Sequence, residues 1–332
     1  MELGQPIRRR MGRQRASRGR RTEGARLTAL TFLGLALSGG LGAAAYFLPL
    51  LTTAARQTNQ HPLAIPATAP AATGAPFTIL LLGSDNDSKF QPDKLLTQSM
   101  ILVRVIPATH EVTMLSIPRD LWVPLSTGHN AKIDLAYQEG GAGAAVSTVS
   151  KNFKVQIDDY AWIGLKGLVQ LIDELGGINL ATSNPVLDDF YPADLAGGDP
   201  YAYQRVAVLA GPQHLTGVQA LEYVRSRHND IREDFGRSER QQQVLLAIRA
   251  RTAGLGLADL PDLATTFAGQ FQTSLSLERL RELLPIAKDF SPGGVNQVFL
   301  LPPYTTGATI EGQDALLPNW ALILPLVHQS FP

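Results

Sequence analysis

The chain has 332 residues, 29 of them basic and 29 acidic, and it is 45% hydrophobic against 17% charged. That balance belongs to a globular protein with a sizeable core and excludes a chain that is disordered throughout. It has no cysteine, which excludes disulfide frameworks, thiolate metal sites and cysteine nucleophiles.

In chain order, nine arginines stand in residues 1–26 against only Glu2 and Glu23, and residues 27–51, "LTALTFLGLALSGGLGAAAYFLPLL", follow without a charge. At ~1.5 Å per residue such a run is long enough to cross a hydrocarbon core of ~30 Å. The arginine flank predicts a cytoplasmic N-terminus and an exported remainder. A cleaved signal peptide is the competing reading, but its apolar core is usually only ~7–15 residues, so an uncleaved anchor is favoured. The arginines read as a topology signal and not as a nucleic-acid contact, since nothing aromatic stands beside them. Removing those nine arginines and two glutamates leaves 20 basic against 27 acidic side chains beyond residue 26, a net charge of −7.

Residues 52–76 are rich in Thr, Ala and Pro, lack a periodic apolar face, and read as a tether. From Phe77 the character changes. "FTILLLG", "SMILVRVIP" and "EVTMLSIP" are short branched apolar runs bounded by turn residues, which predicts three strands, the last two joined as a hairpin. "AAVSTVSKNF" and "WIGLKGLVQLIDELGG" have helical spacing, the second closed by Gly176 and Gly177 before a strand "INLAT". Thr216 with Gln219 and Ser238 with Gln241 form possible capping boxes. "LERLRELLPIA" reads as helix, "VNQVFLLPP" as strand and "LPNWALILPLVHQSF" as a closing helix. The alternation predicts a layered α/β (α+β) domain over residues 77–332, with a central mixed sheet flanked by helices.

Two groups of residues carry the candidate chemistry. "LLLGSD" ends the first strand at Asp85 and "SIPRD" ends the third at Arg119 and Asp120. In an up-down-up meander these exits and the entrance of the second strand at Gln98 share one sheet edge, so Asp85, Gln98 and Arg119 converge. The second group is "YVRSRHNDIREDFGRSERQQQVLLAI", which holds Arg225, Arg227, Arg232, Arg237 and Arg240. Arg237, Arg240, Gln241 and Val244 recur at helical spacing. Arg225 and Arg227 lie two apart, which on extended backbone turns both the same way. Guanidiniums are permanently charged forks matched to phosphate oxygens, so the cluster reads as a di- or polyphosphate cradle; Glu233, Asp234 and Glu239 supply the alternative of a surface ion-pair network. There is no phosphate loop of the GxxxxGK[ST] kind, no GxSxG elbow and no HExxH. His228 reads as a bystander and Lys132 alone as a surface lysine.

The motifs "LLGSD", "SIPRD", "KIDLAYQEGG", "LIDELGGI", "AGPQHLTGVQALEYVRSRH" and "DFGRSERQQQVLLAI", in this order after a positive-inside anchor, resemble the LytR-CpsA-Psr family of cell-envelope proteins. The resemblance implies a single exported α/β domain that transfers a glycopolymer from a polyprenyl-pyrophosphate carrier to a hydroxyl of peptidoglycan or a surface protein. It implies a pyrophosphate site of Arg119, Lys132, Arg225, Arg227, Arg237, Arg240 and Gln241, a catalytic or buttressing carboxylate at Asp120, and Mg²⁺ at Asp85 with Gln98. The apolar faces around "WIGLKGLVQLI" would line a slot for the lipid tail or form ordinary core. Gln98 stands where the family usually has an acidic residue and Asp87 where it commonly has arginine. With one carboxylate fewer, Mg²⁺ is expected to bind weakly without substrate. A hydrolase of the same linkage and a non-catalytic lipid-glycan sensor or transcriptional attenuator are the competing functions; direct DNA contact fits poorly with an acidic, exported domain.

Overall fold

The computed structural model describes residues 74–85, 94–182, 184–193, 199, 201–226, 233–252, 270–276, 283 and 295–332. The predicted spanning run lies outside them, as do residues 52–73 of the predicted tether and almost all of "LERLRELLPIA". Among the described residues no helix is long and apolar enough to cross a membrane.

Continuous apolar runs, unlike alternating ones, make strands that are covered on both faces. Strands β1 (Phe77–Ser84), β2 (Thr97–Ile106) and β3 (Glu111–Ile117) form the expected antiparallel meander, with Leu80 opposite Leu102 and Leu102 opposite Leu115. Alternate residues serve two cores. Leu80, Leu82, Met100, Leu102, Leu115 and Ile117 face one cluster, whereas Phe77, Ile79, Ile101, Val103 and Met114 face another on the opposite side.

A short ribbon, β4 (Trp122–Pro124) and β5 (Asn130–Lys132), leads into helix α1 (Leu135–Phe153). The helical reading of "AAVSTVSKNF" holds, but the helix starts nine residues earlier and kinks at Gly140 and Gly141. "WIGLKGLVQLIDELGG" needs a larger correction. Trp162 and Ile163 close strand β6 (Asp159–Ile163), parallel to β1, and helix α2 runs only over Leu165–Glu174. A β-branched, aromatic opening and a long-range pairing partner override the helical spacing there. Gly176 and Gly177 end α2 as expected. Both have positive φ, and their N–H groups donate to the carbonyls of Asp173 and Ile172.

Next come β7 (Ile178–Thr182), β8 (Val186–Pro192), β9 (Tyr203–Val208) and β10 (Gly211–Leu215); β7 pairs with β10, and β8 with β9. Helix α3 (Gly217–Arg225) opens with the predicted capping box of Thr216 and Gln219. Helix α4 (Glu233–Thr252) starts well before Ser238, so the second proposed box falls inside a helix. These elements enclose a separate core of Ile172, Ile178, Val206, Val208, Leu221, Tyr223 and Val244.

Strands β11 (Phe271–Thr273) and β12 (Val295–Phe299) complete a six-stranded mixed sheet in the order β11-β6-β1-β2-β3-β12. The hairpin β13 (Thr305–Ile310) and β14 (Gln313–Pro318) precedes helix α5 (Trp320–Ser330), where the closing helix was expected. The fold is therefore mixed α/β around a central mixed sheet.

Candidate active site

The meander brings the exits of β1 and β3 to the entrance of β2, and Asp85, Gln98 and Arg119 meet there at the mouth of a cavity of about 570 Å³. Arg225, Arg237 and Gln241 line the same mouth, as do Ser84 and Ser99. Behind it the walls are apolar, with Leu81 and Ile101 from the sheet, Leu168 and Leu171 from α2, and Val244 and Ile248 from α4 among them.

Arg119 is held from two sides. Its Nη1 donates to Gln98 Oε1 at 2.6 Å. Its Nε lies 3.3 Å from Asp120 Oδ2, an ion pair without the alignment of a hydrogen bond. Lys132 Nζ donates to the other Asp120 oxygen at 3.0 Å. Burial pushes the Asp120 carboxyl up, but Arg119, Lys132 and more distantly Arg237 outweigh it and hold it below the usual carboxylate range. Asp120 is thus a firmly ionised brace under Arg119. Lys132 braces Asp120 in turn. Neither is among the residues that line the cavity.

Asp85 is buried, and burial raises its carboxyl above the usual range against the opposing pull of the Leu96 N–H, Arg225 and Arg119. Leu96 N–H donates to its Oδ1 at 3.1 Å. Nearby Asp134 is also buried, and its carboxyl is pushed up to about 6 by desolvation, with Arg119 opposing, Asp120 adding and Lys132 opposing.

The arginine segment is organised by α4. Three consecutive residues tie this helix to three other elements. Arg240 donates from Nε to Tyr223 O and from Nη2 to Ser226 O, both at 2.6 Å, so it caps the C-terminal end of α3. Gln241 Oε1 accepts from Ser99 Oγ of β2 at 3.0 Å. Gln242 Nε2 donates to Ser116 Oγ of β3 at 2.8 Å. Arg240 is buried and is not among the cavity-lining residues; desolvation lowers its guanidinium to about 10, with Tyr223 and Asp188 opposing. Of the helical set predicted from spacing, Arg237, Gln241 and Val244 face the cavity, while Arg240 is turned to α3.

Arg225 is the last residue of α3 and not part of an extended stretch; its guanidinium lies 5.6 Å from the centroid of the Tyr191 ring. Extended backbone begins only at Ser226, and Arg227, Arg232 and His228 lie outside the described residues. Sequence reasoning missed Ser84, Ser99, Asp188, Phe190 and Tyr203 as lining residues. The two serines neighbour Asp85 and Gln98 and were within reach of the meander argument. The other three come from β8 and β9, for which there was no signal.

Mg²⁺ seeks hard oxygen ligands in octahedral geometry. Asp85 fits as one such ligand. Gln98 offers only a neutral amide oxygen, one lone pair of which already accepts from the Arg119 guanidinium. Among the described residues no group of three His, Cys, Asp or Glu is placed to hold a metal. Asp87 and Asp93, carboxylates of the segment between β1 and β2, lie outside the described residues.

The LytR_cpsA_psr family model matches residues 50–316. The chain belongs to the LytR-CpsA-Psr family. Among its LytR-CpsA-Psr relatives, biofilm regulatory protein A of Streptococcus mutans is 36% identical over 189 residues, 54% of this chain and 45% of that protein. The polyisoprenyl-teichoic acid–peptidoglycan teichoic acid transferase TagV of Bacillus subtilis is 33% identical over 220 residues, 65% of this chain and 53% of that protein. The chain thus spans about half the length of the curated relatives it matches. The crystal structure of B. subtilis TagV superposes with a TM-score of 0.63 at 27% identity, covering 78% of this chain and 96% of that one. A structure of TagT bound to LIIa-WTA shares the LytR-CpsA-Psr fold with a TM-score of 0.62 at 24% identity, over 77% of this chain and 89% of that one.

Proposed function

We propose that this chain is a membrane-anchored phosphotransferase that moves a glycopolymer from a polyprenyl-pyrophosphate carrier to a hydroxyl on peptidoglycan or a surface protein. The observation that carries the reading is the lining of one cavity: Arg119, Arg225 and Arg237 gathered at the sheet edge, with mostly apolar side chains around the rest. A phosphorylated head on a hydrocarbon tail matches both parts. The transferase names of relatives such as TagV support the same direction. The uncharged run of residues 27–51 behind its arginine flank would be the anchor.

Phosphoryl transfer needs positioning and charge neutralisation more than a covalent nucleophile. Arg119, Arg225 and Arg237 grip the pyrophosphate oxygens, joined by Arg227 from the adjoining segment. Each charge-assisted contact is worth ~1.5–3 kcal/mol. The acceptor hydroxyl oxygen attacks the glycan-bearing phosphorus in line and gives up its proton to water, the bond to the carrier phosphate breaks, and polyprenyl phosphate leaves as its new charge is met by the same guanidiniums. Asp120 and Lys132 act through Arg119 by fixing its orientation, and Arg240 acts through Arg225 by fixing the end of α3. Mg²⁺, held by Asp85 and completed by phosphate oxygens and water, would add further neutralisation of the pyrophosphate.

The test is to incubate the purified full chain with a polyprenyl-pyrophosphoryl oligosaccharide, with and without wall fragments, and to identify the products by mass spectrometry. Glycan joined to wall together with released polyprenyl phosphate is the expected result. Free phosphoglycan regardless of acceptor would make the chain a hydrolase, and binding without turnover would make it a sensor.

A further inference from the structure

The β8–β9 ribbon is two-faced. Val186, Tyr191, Val206 and Val208 are buried in the core beneath it, whereas Leu187, Phe190, Tyr203 and Leu209 are 50%, 59%, 67% and 64% exposed. Phe190 and Tyr203 stack edge to face across the ribbon. Tyr201, beside them, is 71% exposed. Asp189 is paired with Arg205, and the Asp199 carboxylate accepts from the Tyr201 N–H at 2.9 Å. Large apolar side chains presented together on one surface mark an interaction site.

This surface is continuous with the cavity, because Phe190, Pro192 and Tyr203 also line it. We propose that the outer face of β8–β9 docks on the surface of the lipid bilayer and delivers the cavity mouth to it. The inference rests on the reading of the cavity as a polyprenyl site: a tail leaving a bilayer for a protein cavity gains from an apolar path that never meets water. The composition of the face favours lipid over sugar. Two exposed leucines at one end of the ribbon and an aromatic pair at the other make the mix of aliphatic anchors and interfacial tyrosines that suits a headgroup boundary. The chain length permits it. The tether joins β1 at Phe77, the end remote from the mouth, and β1 spans ~26 Å at ~3.3 Å per residue. The predicted tether of residues 52–76 can extend to ~80 Å, ample for the mouth end to turn back to the membrane.

The chain has no cysteine, so single labels are simple to place. Leu187→Cys, Leu209→Cys and, as a control on the exposed β13–β14 hairpin, Gln313→Cys are spin-labelled in the full chain. Each is reconstituted in nanodiscs of phosphatidylcholine and phosphatidylglycerol. Labels at 187 and 209 should collide several-fold more with oxygen, relative to a water-soluble nickel chelate, than the label at 313. Equal ratios at all three positions overturn the docking. So do labels that stay in water but are immobilised by soluble muropeptides, or that broaden one another between copies, outcomes that assign the face to glycan or to a second chain. Binding of polyprenyl phosphate to the same variants in detergent separates the two ideas. If it binds while the labels stay in water, docking fails and the cavity reading stands; if the labels enter lipid but nothing binds, the cavity reading fails.

Discussion

Arg237 and Arg240 lie one helical turn apart in a cluster that reads uniformly as a phosphate cradle, yet their surroundings assign them different work, and replacing each by methionine separates the two. In Arg240→Met two buried carbonyls, those of Tyr223 and Ser226, lose their donors at 2.6 Å. An unsatisfied buried acceptor costs ~1–3 kcal/mol, and the burial penalty removed with the guanidinium returns part of that, so a net loss of ~3 kcal/mol is expected. For a domain of this size that lowers the melting temperature by roughly 6–12 °C. Arg237 lines the mouth, and Arg237→Met should lower melting by less while weakening polyprenyl-phosphate binding tenfold or more. Arg240→Lys keeps the charge but not the fork that reaches both carbonyls, and should fall between the unchanged chain and the methionine variant in stability. Thermal melts by circular dichroism and ligand titrations on the three variants give both quantities. Should Arg240→Met melt like the unchanged chain and lose ligand as Arg237→Met does, the division between a capping and a phosphate-binding arginine is wrong.

Mg²⁺ alone, without a phosphorylated ligand, should leave the melting temperature of the unchanged chain in place, because no group of three described carboxylate or imidazole side chains is placed to hold it; Gln98→Asp should gain a metal-dependent rise, and such a rise already present in the unchanged chain would refute the donor count. Asp134, with its carboxyl pushed up from 3.8 to about 6, holds its proton longer folded than unfolded, so its contribution to stability is present below about pH 4 and is lost as pH rises through 6. Asp134→Asn should therefore gain on the unchanged chain by on the order of 2 kcal/mol between pH 4 and pH 7 in urea titrations, and parallel curves would exclude this origin. At Gly217 an added Cβ would lie 2.2 Å from the Val169 carbonyl oxygen, so Gly217→Ala must part α2 from α3, with an expected loss of ~1–3 kcal/mol in the same titrations.

The sequence was most informative where local pattern and tertiary placement agree. The meander was legible because its strands are covered on both faces and so read as unbroken apolar runs. Its topology alone carries Asp85, Gln98 and Arg119 to one edge. The ends of α2 and α3 were legible from Gly176, Gly177 and the Thr216 box, whose hydrogen bonds are local. Arg240 was not, because helical spacing puts it within reach of the face of Arg237 and only the distant end of α3 decides which way it turns. Gln98 reads as a poor metal ligand from its chemistry, but its bond to Arg119 depends on the register between two strands. The β8–β9 ribbon escaped because Leu187 and Phe190 are exposed and Asp188 is buried, the reverse of the pattern that marks a half-buried strand.

Residues 240, 241 and 242 point about 100° apart around the axis of α4, and each grips a different neighbour. A helix clamped on three sides can neither screw about its axis nor slide along it. Arg237 therefore keeps its aim when the mouth is empty, and mutual repulsion among the arginines is borne by packing instead of being relaxed by rotation. On the proposed reading, an arriving pyrophosphate would meet guanidiniums already in place. Ligand should accordingly toughen the whole domain against unfolding and proteolysis, well beyond the few side chains it touches.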